Sequence, residues 1–323
     1  MLDEVTRAFA GAKTVVMTAP SDLDADAIGA LEGLRRAVAR RWPDARVQIV
    51  LDEPLPPTLA FICEPDCYLD AADVEVGPAD LAVVVDGDPR RLAQAAAHFE
   101  AAATTVMIDH HRSSVDAPVT ARLFDPAEAS TTRLVLRLLD HWGVALDGPI
   151  ATALYAGLVF DTGTFRYRNT TPDTLRAAAR LVEAGVDHTD LIERILLEQG
   201  EGKARLRGRI LSRFQRAAGG RVAYAGLSAA EGREGNTGGL VDELVFLRGV
   251  EVGILLTARG QGKVKVSLRS RGDLDVAALA QQLAPRGGGH RQAAGATIEG
   301  GLKTVMATVV AAVEAALSTS PSR

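Results

Sequence analysis

Asp109-His110-His111-Arg112 closes an apolar run over residues 104–108. An acid followed by two imidazoles is poor core material and good material for holding a metal ion. The same arrangement, an apolar run ending in acid, occurs twice upstream. Residues 15–19 lead into Asp22, Asp24 and Asp26, and residues 81–85 lead into Asp86 and Asp88. In an extended segment Asp22, Asp24 and Asp26 point the same way. A pair of carboxylates ~4 Å apart repels by about 4 kcal/mol at an effective dielectric near 20, a cost that a divalent cation turns into a gain. The plainer readings are an acidic loop with Asp26 capping the next helix, and Asp86 as a turn residue before Gly87. Asp161, behind another apolar stretch, could equally be an ordinary loop acid. Two adjacent histidines behind an acid are harder to explain away. Oxygen-rich ligands with one or two imidazoles suit manganese, magnesium or iron. Two such ions would activate water and neutralise a phosphoryl group.

A second region carries a different signal. Over residues 263–271, Val264, Val266 and Leu268 take one face of a strand, and Lys263, Lys265, Ser267, Arg269 and Arg271 take the other. The stripe is either an ordinary solvent face or a phosphate-binding surface. Gly287-Gly288-Gly289-His290 lies further on and reads as a close-packed turn. Its backbone N–H groups could approach a phosphate, helped by the dipole of a helix starting behind it.

The elements that must position these residues follow from periodicity. Short apolar runs at 13–19, 81–86 and 104–109, and the alternation over 46–51, read as strands, the continuous ones of the type buried in a parallel sheet. Residues 27–40, 130–142 and 149–159 read as helices, and Thr171-Pro172-Asp173 starts another with proline at its first position. The βαβα pattern implies an α/β, doubly wound parallel sheet, whose ligands lie outside the carboxyl ends of the strands. A charged helical stretch over 187–216 follows. Strands at 221–227, 251–258 and 263–270, a helix at 275–283 and a last helix at 302–317 make a smaller α+β domain. The division expected is 1–190 for the metal-binding domain, 191–219 for a helical linker, 220–317 for the smaller domain and 318–323 for a tail.

Composition sets the outer limits. The chain has 323 residues, 47 % of them apolar, enough for two cores. Its 36 basic and 41 acidic residues leave a net charge of −5, which argues against coating long nucleic acid but not against a small anionic substrate in a basic cleft. Cys63 and Cys67 are too few for a four-thiolate zinc site. Without a leader-like start or a run of ~20 apolar residues, the expectation is a reduced, cytoplasmic protein with no membrane span.

Taken together, Asp24-Ala25-Asp26-Ala27-Ile28-Gly29, Asp86, Asp109-His110-His111, Asp161-Thr162-Gly163, Asn169-Thr170-Thr171, the stripe at 264–269 and the glycines at 287–295 resemble the DHH phosphoesterases that carry a DHHA1 C-terminal domain. Within that superfamily they are most similar to the bacterial nanoRNase and pAp phosphatase group, with relatives acting on pApA and cyclic di-AMP. The resemblance implies a DHH domain and a DHHA1 domain, two manganese ions (magnesium or another divalent ion as substitutes), and hydrolysis of short RNA or DNA oligonucleotides or nucleotide phosphates. A homodimer is compatible with it. Asp24 and Asp86 would bind one ion. Asp26, Asp86, His110 and Asp161 would bind the second. His111 and Asp109 would be the catalytic pair, His111 near the scissile phosphate and Asp109 orienting it. Arg112, Arg269, Gly288, Gly289 and His290 would hold substrate.

One position departs from the family pattern. A histidine ligand of the first metal is expected four residues before Asp24, where this chain has Pro20. The expectation is that Asp22 takes its place. The alternatives are a degenerate, non-catalytic nucleotide-binding protein and a polyphosphate or pyrophosphate hydrolase.

Overall fold

The computed structural model describes residues 1–198, 200–285 and 287–318. The chain divides into two compact units, Met1–Glu198 and Gln199–Arg323.

The first unit runs α1 (Leu2–Ala10), β1 (Thr14–Thr18), α2 (Ala25–Arg41), β2 (Arg46–Leu51), β3 (Tyr68–Asp70), β4 (Ala79–Val85), α3 (Ala95–Glu100), β5 (Ala102–Asp109), β6 (Ala121–Phe124), α4 (Thr131–Trp142), α5 (Gly148–Asp161), α6 (Pro172–Glu183) and α7 (His188–Ile192). All six strands pair in parallel, in the order β3-β2-β1-β4-β5-β6. This is the doubly wound sheet implied by the alternation of elements. Both faces of the central strands are buried, which is why they read as unbroken apolar runs. Val15, Met17, Leu81, Val83 and Ile108 pack on the α2, α4 and α5 side. Val16, Ala82, Val84 and Met107 pack with Ala95 and Phe99 of α3 on the other. The order reverses between β1 and β4, where a doubly wound sheet opens a crevice at its carboxyl edge.

Local chemistry sets the helix starts. Asp24, rather than Asp26, caps α2, accepting from the backbone N–H groups of Asp26 and Ala27 at 2.8 and 3.1 Å. Ser130 caps α4, and Thr171 caps α6 with Pro172 at the first position. Asp161 is the last residue of α5, not a loop acid. The edge strands β3 and β6 are not legible in the sequence, since three and four mostly half-buried residues carry too short a pattern. The charged helical stretch after Asp187 is divided. Helix α7 and one π-type turn, Glu193–Leu197, belong to the first unit.

In the second unit, α8 (Glu201–Arg213) is followed by β7 (Gln215–Ala217), β8 (Val222–Leu227), α9 (Asp242–Val245), β9 (Val252–Gly260), β10 (Lys263–Ser270), α10 (Val276–Leu283), β11 (Gly288–His290), β12 (Ala293–Glu299) and α11 (Leu302–Ser318). The sheet order is β11-β12-β10-β9-β8-β7, antiparallel except for β8 with β9. Val264, Val266 and Leu268 face α10 and α11, as their alternation requires. Leu206 and Ile210 of α8 pack on the opposite face with Ala223 and Leu244. The glycine run differs from expectation. Gly288 to His290 form a strand paired with β12, and no helix starts behind them, so no helix dipole acts there. Two of the three glycines are required by crowding: a Cβ on Gly287 would lie 2.0 Å from the Ala280 carbonyl oxygen, and one on Gly289 2.4 Å from that of Ala293, whereas one on Gly288 would meet nothing within 4 Å. Ser318, expected in the tail, ends α11, and residues 319–323 lie outside the described residues.

Helices α2 and α5 approach through glycines. A Cβ on Gly29 would lie 2.3 Å from the Ala153 carbonyl oxygen, and one on Gly157 2.4 Å from Asp26 Oδ1. Gly157→Ala is therefore expected to lower unfolding free energy by about 1–3 kcal/mol through overpacking. Gly11→Ala, at a site with nothing within 4 Å, should leave it nearly unchanged. Urea unfolding of the two variants checks this.

Candidate metal centre

The loops after β1, β4 and β5 and the end of α5 bring acids and imidazoles together at the switch point of the first sheet. Asp26 is fully buried on the first turn of α2. Asp86 follows β4 with φ of 56°, a left-handed conformation that aspartate tolerates better than most residues. His110 is buried; its Nε2 lies 3.1 Å from Asp161 Oδ2 and 3.9 Å from both Asp26 Oδ2 and Asp86 Oδ1. Its Nδ1 lies 3.2 Å from the Glu128 carbonyl oxygen. That oxygen can only accept, so Nδ1 carries the proton and Nε2 faces the acids.

Two sets of ligand atoms, Asp26-Asp86-His110 and Asp86-Asp109-His111, each lie within 4.8 Å of one another. Asp86 belongs to both. Asp24 and Asp161 lie outside these two sets, although both raise the proton affinity of Asp86 through their charge. Asp109 is fully buried and its Oδ1 accepts from His111 Nδ1 at 2.8 Å and from the His111 backbone N–H at 3.1 Å. Burial pushes the Asp109 carboxyl up, but these His111 contacts dominate and hold it below the usual range. Ionised, it only accepts, which fixes the proton of a neutral His111 on Nδ1 and its lone pair on Nε2.

The carboxylates destabilise one another. Burial, then the charges of Asp161 and Asp26, push Asp24 up to about 7. Burial and Asp161 push Asp26 to about 6 against the opposing pull of His110. Asp86 is raised too, by burial first and then by Asp26, Asp24 and Asp161. For His110, burial disfavours the charged ring, yet Asp161, Asp26 and Asp86 together outweigh it and raise its pKa well above the imidazole range. This concentration of negative charge, with one imidazole nitrogen among the carboxylate oxygens, fits a divalent cation.

Asp22 stands apart. It is exposed, has φ of 72°, and belongs to neither set of ligand atoms. Pro20 is buried against Gly87, whose Cβ would lie 2.7 Å from Pro20 Cγ. Arg112 is exposed one residue beyond His111. In the second unit, Ser267, Arg269, Gly288, Gly289 and Gly295 line a shallow cleft of about 190 Å³, and Arg269 Nε donates to Asp242 Oδ1 at 2.8 Å. His290 is half-buried on β11. The alternating basic stripe thus borders a concave site at Arg269. The three remaining histidines make contacts elsewhere: His98 with the Ala71 carbonyl, His141 with Asp3, and His188 with Tyr155.

Thr131, Thr132 and Glu53 escape the sequence reading, and Asn169 enters it only as part of the Asn169-Thr170-Thr171 motif, with no role assigned. Thr132 Oγ1 and its backbone N–H donate to Asp26 Oδ1 at 2.7 and 3.0 Å, and the Thr131 N–H to Asp26 Oδ2 at 2.6 Å. Asn169 Nδ2 donates to the carbonyls of Ala129 and Asp161, both at 3.0 Å, tying the end of α5 to the approach to α4. Glu53 accepts from the Leu23 N–H at 2.8 Å and braces the acidic loop. The one available signal was Ser130-Thr131-Thr132 opening an apolar helix, which periodicity alone explains as capping.

With this geometry in place, similarity to known proteins becomes informative. Residues 14–158 match the model of the DHH family N-terminal domain, and residues 219–319 match the DHHA1 domain. The chain is 33 % identical over 302 residues to the bifunctional oligoribonuclease and PAP phosphatase NrnA of Thermus thermophilus, covering 93 % of this chain and 88 % of that one. The chain belongs to the DHH family of phosphoesterases. It is a phosphate-ester hydrolase with an α/β DHH domain and a DHHA1 domain. The cyclic-di-AMP phosphodiesterase GdpP of Geobacillus thermodenitrificans is 34 % identical over 196 residues, 57 % of this chain and 28 % of that one. The crystal structure of an exopolyphosphatase-related protein from Bacteroides fragilis superposes with a TM-score of 0.87 at 23 % identity, covering 98 % and 97 % of the two chains, and shares the fold. Among the described residues no helix is long and apolar enough to cross a membrane.

The raised carboxylates carry a pH signature. Between the unfolded aspartate pKa, near 3.8, and the folded values of about 6 and 7 for Asp26 and Asp24, the folded state binds more protons. Stability of the metal-free protein must then fall as pH rises through this window. The raised His110 acts with the same sign. Melting temperature in chelator is expected to drop from pH 5 to pH 8, and added manganese should restore it at pH 8. Differential scanning calorimetry checks both.

Proposed function

We propose that this phosphoesterase hydrolyses phosphate esters of short oligonucleotides or nucleotides, with manganese as its preferred ion and magnesium as a substitute. The observation that carries the reading is the convergence of Asp26, Asp86 and Asp161 on His110 Nε2 at the switch point of the parallel sheet. Similarity over nearly the whole chain to an oligoribonuclease and PAP phosphatase supports the substrate class.

Asp26, Asp86, His110 and Asp161 would hold one ion, and Asp24 and Asp86, with Asp22, the other. Divalent ions at such a centre lower the pKa of water and neutralise phosphoryl charge. The residues around them do the positioning. Asp109 holds His111 through Nδ1, leaving the Nε2 lone pair to accept a transferred proton, after which Nε2–H can donate to the phosphate. In the first unit Arg112 would bind further substrate charge, and in the second unit Arg269, Gly288, Gly289 and His290 would bind phosphate. Short substrates and a reduced cysteine pair fit a cytoplasmic enzyme.

A panel of pAp, pApA, cyclic di-AMP and short RNA with manganese, magnesium and chelator tests the reading. Turnover of at least one member with manganese, abolished by chelator, is expected; inertness toward all of them would sink it. Pro20 and the exposure of Asp22 motivate a second reading, a nucleotide-binding protein without catalysis. Metal analysis separates the two, with about two ions per chain expected for the enzyme. Asp22→Ala should lose one of the two ions together with activity. Full metal content and full activity in that variant would remove Asp22 from the centre.

A further inference from the structure

Thr131 opens α4 and is fully buried. Its backbone N–H donates to Asp26 Oδ2 at 2.6 Å, and its hydroxyl donates to Asp86 Oδ1 at 2.9 Å. These are the same two oxygens that stand 3.9 Å from His110 Nε2. One residue therefore grips both carboxylates, which come from different loops, on the atoms that face the imidazole. We propose that Thr131 is a positioning residue of the metal centre. Its hydroxyl sets the rotation of the Asp86 carboxylate, and its N–H sets that of Asp26.

The physical case rests on the number of acceptor sites. An ionised carboxylate oxygen takes about two strong partners. On each of these oxygens Thr131 takes one and leaves the remaining direction for a cation. Asp26 Oδ1 is already committed to Thr132 through both its N–H and its hydroxyl. Asp26 is thus directed to offer Oδ2 alone. Asp86 has no comparable hold among the hydrogen bonds described, so the Thr131 hydroxyl is what fixes Oδ1 against rotation. Without it, two like charges within 4.8 Å of one another would turn apart until a cation arrived, and binding would bear that reorganisation.

The inference rests on the metal-centre reading above and can fail separately from it. Manganese titration by calorimetry on the full chain compares wild type, Thr131→Val and Thr131→Ser, each first shown to be folded by circular dichroism. Valine keeps the shape and the backbone N–H and removes only the hydroxyl. Loss of an oriented partner of this kind weakens metal affinity by about 10–100-fold, and serine should recover most of it. Thr131→Ala makes the same comparison if the valine variant does not fold. Thr174→Val is the control for a purely structural effect, because Thr174 is also buried and completes the capping box of α6. It should lower the melting temperature and leave manganese affinity unchanged. Wild-type affinity in Thr131→Val, or no recovery with serine, would overturn the role of Thr131. No manganese uptake by wild type would instead overturn the metal centre itself.

Discussion

Repulsion among buried carboxylates is the constraint on which the first unit is organised. Asp26 and Asp86 present oxygens within 4.8 Å of one another, at a cost of about 3–4 kcal/mol per ionised pair at an effective dielectric near 20. Asp24 and Asp161 add to it. The fold opposes this charge with everything available at that point. Two backbone N–H groups and a hydroxyl at the start of α4 hold Asp26, the Thr131 hydroxyl holds Asp86, and His110 leans on Asp161. The remaining imbalance appears in the raised proton affinities, and a divalent cation is the natural counter-charge. The centre is thus a piece of the protein kept poorly neutralised by construction.

The sheet order explains why that charge can be assembled at all. Strands β1 and β4 are neighbours whose following segments diverge to opposite sides, so Asp24, Asp26 and Asp86 meet in a crevice instead of a packed layer. Helix α5 then crosses α2 closely enough that Gly157 touches Asp26. Packing and charge are coupled at this contact: the distance between two helices and the position of a carboxylate are the same variable.

Much of this arrangement was legible in the sequence, and the illegible parts share a cause. The central strands announced themselves because both faces are buried, giving runs such as Leu81 to Val85. The acids at their ends were legible because acid does not belong after such a run. Strands β3 and β6 were not, since an edge strand has neither length nor a second buried face. The glycine segment at 287–290 was read as a turn because glycine permits turns. Gly287 instead serves close approach to α10 and Gly289 close approach within a hairpin, purposes that composition cannot distinguish. Thr131 was hidden for a related reason. A hydroxyl at a helix start satisfies the helix on sequence grounds alone, and only the three-dimensional arrangement shows that Thr131 serves two distant aspartates.

Asp86 closes the strand with a left-handed backbone, φ 56°. Few side chains tolerate that conformation; glycine, asparagine and aspartate are the common ones. The position is therefore chosen twice over, once for charge and once for backbone. Glutamate would carry the charge on a longer arm from a backbone it dislikes, and glycine would suit the backbone and carry nothing. In evolutionary terms the site has almost no neighbouring solutions. Asparagine and glycine both leave the turn at ease while silencing the acid, and asparagine alone keeps the side chain's shape, so drift from enzyme to binding protein would be expected to pass through one of the two.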